Sequence, residues 1–150
     1  MTDKHRRFLG PVVEMRKLHD SAEQRIVHSA EMLDRKSLAS VGDTTGERVT
    51  ALLTETKAHT PEELAANVAR IGELLGRFAL YVPARFTDDP AEQAKYWAVR
   101  SGIFPAVGGS RPAGTTCLSE DVAFHIEDLP EATAELQQLI ARHGYEDACI

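Results

Sequence analysis

Four charged residues between positions 100 and 121 have the types and spacing to hold a small anion: Arg100, Arg111, Glu120 and Asp121. Arg100 follows Tyr96 by four residues and Trp97 by three. A planar guanidinium binds a carboxylate through two parallel hydrogen bonds, which a lysine ammonium does not reproduce. An arginine late in a helix also serves the helix dipole, and its residue type alone leaves both uses open. Arg111 lies in the stretch 107–116, VGGSRPAGTT, with three glycines around it. Glycine-rich turns can offer backbone N–H groups to an anion, but the lysine of a P-loop and the Gly-x-Gly-x-x-Gly spacing are both missing. The stretch is either a flexible loop presenting Arg111 or a plain connection. Over 115–126, strand alternation places Leu118, Glu120, Val122, Phe124 and Ile126 on one face. Glu120 then stands in an apolar row, where an unpaired carboxylate costs roughly several kcal/mol. A bulge at Glu120-Asp121 or a nearby cation relieves that cost, and Arg100 and Arg111 are the nearest candidates in sequence. A structural ion pair and a pocket for a small polar molecule both satisfy this condition.

Other chemistries find little support. The six histidines, at positions 5, 19, 28, 59, 125 and 143, show no His-x-x-x-His pair and no ligand spacing with cysteine or carboxylate. No serine sits in a Gly-x-Ser-x-Gly elbow. Cys117 and Cys149 form neither a metal spacing nor a disulfide framework, and both lie in apolar surroundings. They fit a reducing, cytoplasmic setting. A net charge of −6 argues against a nucleic-acid partner, and the basic run Lys4-His5-Arg6-Arg7 reads as a solvated N-terminal feature. No apolar run reaches the roughly 18 residues of a membrane span. At 150 residues, with 43% hydrophobic and 27% charged residues, the chain has ordinary globular composition and room for one core.

The elements that must position these groups can be traced from pattern. Residues 1–25 have no clear cap and read as a tail or partial element, with a helical turn or two over 11–18. Residues 25–30 and 48–57 read as strands, and 31–41 as a short helix or turn. Three helix starts are written at Thr60-Pro61, Asp89-Pro90 and Asp128-Leu129-Pro130, each with a cap residue, an early proline and a following glutamate. The first helix places Leu64, Val68, Ile71, Leu75 and Phe78 on one stripe. The last groups Ala132, Leu136, Leu139 and Ile140 and stops at Gly144, suited to a left-handed cap. Further strands are expected over 79–86, broken at Pro83, and over 115–126. This order predicts an α+β fold, with a ferredoxin-like antiparallel sheet and helices of about four turns packed on one face.

The order of motifs resembles the C-terminal domain of FAD-linked oxidases. Trp97-x-x-Arg100 is followed by Phe104-Pro105-Ala106-Val107-Gly108, then Arg111-Pro112-Ala113-Gly114-Thr115-Thr116, then Glu120-Asp121-Val122-Ala123-Phe124. Upstream, Glu31-Met32-Leu33-Asp34-Arg35-Lys36-Ser37-Leu38 is similar to the family's Glu-Leu-Met-Asp-Arg-x-Ser-Leu segment. The likeness spans some four fifths of the chain and is strongest from Pro90 onward. His125 departs from it, standing where family members usually carry proline.

Within the family, the resemblance is to flavin and iron–sulfur enzymes that oxidise D-lactate, glycolate or D-2-hydroxyglutarate. It implies a domain over 26–150 that caps a flavin bound mainly by a separate FAD-binding domain or subunit. It further implies that Arg100 and Arg111 bind a small 2-hydroxy acid, and that Glu120 and Asp121 line the pocket. The family's Gly-His-x-x-x-Gly-Asn motif would follow Ile150. The chain is therefore expected to be an incomplete cap domain that does not turn over substrate alone. A non-catalytic ferredoxin-like module for a small carboxylate, and an inert split-gene remnant, are the alternatives.

Overall fold

A computed structural model describes residues 3–19, 23–42, 50–117 and 122–145, with side chains from residue 9 onward. Seven elements follow in the order α1 (Asp3–Met15), β1 (Val27–Leu33), α2 (Arg35–Ser40), β2 (Ala51–Thr56), α3 (Pro61–Leu75), α4 (Pro90–Ser110) and α5 (Leu129–Arg142). This is an α+β arrangement, as the sequence predicts. Its antiparallel sheet has two strands among the described residues.

The ribbon pairs Val27 with Thr56, Ala30 with Thr54 and Met32 with Leu52, and a register shift falls between Val27 and Ser29. His28 is the extra residue of that bulge, so Val27 joins the face carrying Ala30, Met32 and Leu52. The Thr56 hydroxyl donates to the Ile26 carbonyl at 2.8 Å and closes the bulged end. Against this face packs the core: Met15 from α1, Ile26, and Ile71, Leu74 and Leu75 from α3, flanked by Leu18, Val27, Leu52 and Phe78. The α3 stripe predicted from spacing thus faces inward, with Leu74 added. α1 buries Leu9, Val12 and Met15. Its Gly10 lets the helix approach Phe78, whose ring carbon lies 3.2 Å from where a Cβ would stand.

Two of the three helix starts are capped as their sequences imply. Glu63 N donates to Thr60 Oγ1 at 3.2 Å, and His59 N donates back to Glu63 Oε2 at 3.0 Å. Ala91 N donates to Asp89 Oδ1 at 2.9 Å. Asp128 makes no side-chain cap bond. It already has helical φ and ψ, inside a turn where its N–H donates to the His125 carbonyl at 3.0 Å. Gly144 takes the left-handed conformation expected of it, at φ 80°. Leu139 does not join the inward stripe of α5 and is 46% exposed; Thr133 and Ala134 are buried instead.

Several expected boundaries move. β1 continues to Leu33, beyond the short strand expected at 25–30. Residues 79–86 form no strand. Pro83 has no N–H to give a ladder, and no neighbouring strand is paired with them. The described parts of 115–126 are not strand either, and 118–121 lie outside the described residues. α4 runs for 21 residues, well past four turns, and takes in residues 107–110 of the expected loop. Its glycines disfavour helix, but the end is held by side chains. Ser110 Oγ donates to the Val107 carbonyl at 3.0 Å, and Arg111 donates to the Gly108 carbonyl.

Gly72, inside α3, has open space where a Cβ would stand and no positive φ. Gly72→Ala is therefore expected to stabilise the chain by about 0.4–1 kcal/mol, read as a higher urea midpoint at unchanged slope.

Candidate functional site

The two faces of the ribbon have different chemistry. On the core side, a cleft of about 230 Å³ opens between α1, β1 and α5, walled by Leu9, Val12, Ala30, Met32, Phe124 and Leu136. Among the described residues, Thr133 supplies its one polar side chain and the rest of the lining is apolar. On the opposite face, strand alternation presents Ser29, Glu31 and Leu33. There Arg100 Nε donates to Glu31 Oε2, an ion pair between α4 and β1. Both side chains remain in reach of solvent, at 51% and 32% exposure.

The helix that carries Arg100 is unusual. α4 contacts α2, yet none of its described residues is buried. Tyr96, Arg100 and Phe104 follow one another at intervals of four, which aligns them along one stripe. Tyr96 and Phe104 are exposed, as is Val99 beside them. The segment leading into α4 adds Leu80, Tyr81, Val82 and Phe86, also exposed. A guanidinium flanked in the stripe by two aromatic residues on an open surface can serve as an anion clamp.

The N-terminus of α4 is fixed by polar contacts. Arg85 Nη2 lies 2.7 Å from Glu92 Oε1, and Tyr96 Oη donates to the same oxygen at 3.3 Å. The Thr87 side chain, first, holds the Glu92 carboxyl below its ordinary value of 4.5; burial opposes this, and Arg85, Tyr96 and Lys95 add to it. A depressed folded value means that Glu92 supports folding above pH 4.5 and that this support fades as pH falls through the folded value. In Glu92→Gln, stability is expected to fall less steeply below about pH 4.5 than in the parent, measured by urea midpoints across an acid series.

Arg111 is placed apart from Arg100. It caps α4 eleven residues on, about 16 Å along the helix axis. Its Nε donates to the Thr115 carbonyl at 2.9 Å and its Nη1 to that of Gly108. Glu120 and Asp121 lie outside the described residues. What the structure brings to Arg100 is Glu31, across 69 residues of sequence. Spacing could not have found that pair, because it depends on how α4 lies over the ribbon. A signal was present nonetheless: Glu31 opens the upstream motif segment, and its even-numbered strand neighbours, Ala30 and Met32, are apolar.

The chain from residue 15 to residue 150 matches the family model described as FAD linked oxidases, C-terminal domain. The chain belongs to this family. No curated protein and no solved structure matches it. Membership makes the chain the C-terminal domain of an FAD-linked oxidoreductase family, and it suggests association with an FAD-binding domain.

The geometry bears on where FAD is held. The glycine-rich stretch was the sequence's candidate phosphate cradle, and its Gly108 and Gly109 lie within α4, with their amides in helical geometry. That stretch therefore does not form a loop fitted to the dinucleotide's pyrophosphate. Among these residues, no helix is long and apolar enough to cross a membrane.

Proposed function

We propose that this FAD-linked oxidase C-terminal domain covers the substrate pocket of an enzyme that oxidises a small D-2-hydroxy acid to its 2-oxo acid. D-lactate, glycolate and D-2-hydroxyglutarate are the candidates. Arg100 carries the reading. It stands on an exposed aromatic stripe and already holds a carboxylate, that of Glu31. In this proposal it binds the substrate's carboxylate and fixes the orientation of the adjoining α-carbon. Arg111 and the Glu120-Asp121 pair are the further pocket residues that the family resemblance implies.

FAD is bound by a separate domain or subunit, which supplies the redox chemistry. The open face of α4 and the exposed residues Leu80, Tyr81, Val82 and Phe86 support docking of such a partner, since apolar groups left together at a surface commonly mark an interface. A cytoplasmic setting belongs to the same proposal and is supported by the free, half-buried thiol of Cys117.

The test supplies the chain with FAD and an FAD-binding domain of the same family, then adds each of the three acids without oxygen. Bleaching of the flavin absorbance with at least one acid is expected, and none when the chain is given FAD alone. Bleaching by the chain alone would overturn the division of labour. Carboxylate binding without bleaching in the reconstituted pair would replace the enzyme with a non-catalytic binding module.

A further inference from the structure

We infer that Glu31 is an internal stand-in for the substrate's carboxylate on Arg100, and that it thereby sets the carboxylate affinity of the site. This rests on the proposed role of Arg100. Three features of the pair carry the inference. First, its chemistry is that of the proposed ligand: a carboxylate oxygen accepts from the guanidinium Nε. Second, the described ribbon residues beside Glu31 offer it no cation. Its neighbours on that face of the ribbon are Ser29 and Leu33 on β1 and Leu53 opposite it on β2, none of them cationic. The nearby acid Glu55 has its own partner in Lys57, at 3.4 Å.

Third, the pair is built to exchange. Both side chains are reached by solvent, so an incoming anion displaces Glu31 without opening the core. Exposed ion pairs shift an equilibrium by a factor of about five at most. Glu31 is thus a weak competitor, strong enough to neutralise Arg100 between ligands and weak enough to yield to a hydroxy acid gripped through both carboxylate oxygens. Substrate affinity is then a difference between two carboxylates competing for one guanidinium, and the internal one is held at fixed effective concentration by the strand.

The experiment follows the Nε–H resonance of Arg100 in the full chain by ¹⁵N–¹H correlation, assigned by its loss in Arg100→Lys. Glycolate is titrated into the parent and into Glu31→Gln. Removing Glu31 is expected to shift the free-state resonance and to lower the glycolate midpoint by about two- to five-fold. A residue that only braced α4 against β1 would leave the midpoint unchanged or raise it on removal. A midpoint that is equal or higher in Glu31→Gln overturns the inference while leaving Arg100 as a carboxylate site. A resonance that glycolate moves in neither protein removes that site, and the inference with it.

Discussion

Ile71→Ala should cost the protein about 2–5 kcal/mol. Ile71 is 1% exposed and sits among Met15, Ile26, Leu74 and Leu75, where α1, the bulged end of the ribbon and α3 converge. Truncation removes three buried carbons and leaves a cavity whose walls belong to three different elements. Such a site collapses poorly, because closing it means moving helices that are held elsewhere. The loss is also large relative to what a domain of this size has, since total stabilities run at about 5–15 kcal/mol. Much of the chain's apolar surface contributes nothing to the core: Tyr81, Val82 and Phe104 are 60–70% exposed. Urea unfolding followed by circular dichroism measures the change. Leu80→Ala, outside the core, is the comparison and should stay within about 0.5 kcal/mol of the parent. A change below 1 kcal/mol for Ile71→Ala would show that the core is not centred on α3.

The contrast between these two residues marks how far sequence reasoning reached. The helices announced themselves through short-range signals: the Thr60 and Asp89 caps, the prolines that follow them, and the steps of three and four that bury Ile71 and Leu75. Such signals are local and act on the backbone directly. Strands depend on a partner. Residues 48–57 had one in β1 and formed β2, whereas 79–86, of similar apolar character, had none and did not. Alternation says that a segment suits a sheet, not that a sheet is there to receive it. Glycine misled in the other direction. Gly108 and Gly109 suggested a loop, but Arg111 and Ser110 satisfy the carbonyls at the end of α4, and the helix runs through them. The candidate site divides in the same way. Arg100 was legible from its residue type and its motif, while its pairing with Glu31 was not, because only the packing of α4 over β1 brings the two together.

Arg100→Ala should leave folding nearly unchanged and remove carboxylate recognition. An exposed ion pair contributes about 0–1 kcal/mol to stability, and α4 buries no described side chain, so thermal unfolding should move little. Hydrogen bonds from a charged donor to a charged acceptor are worth about 1.5–3 kcal/mol when a partner is lost, which corresponds to roughly a ten- to hundred-fold loss in kcat/KM once the flavin partner is supplied. The division between the two constants is informative. A guanidinium that only captures the acid loses its contribution in KM, whereas one that also holds the α-carbon in line for oxidation loses part of it in kcat. Arg100→Lys separates charge from geometry. It keeps a cation within reach but loses the planar fork, so it should recover some of the binding and little of the orientation. Equal activity in Arg100→Ala and the parent would move the carboxylate site away from α4 altogether. The exposed stripe of Tyr96 and Phe104 would then serve docking alone.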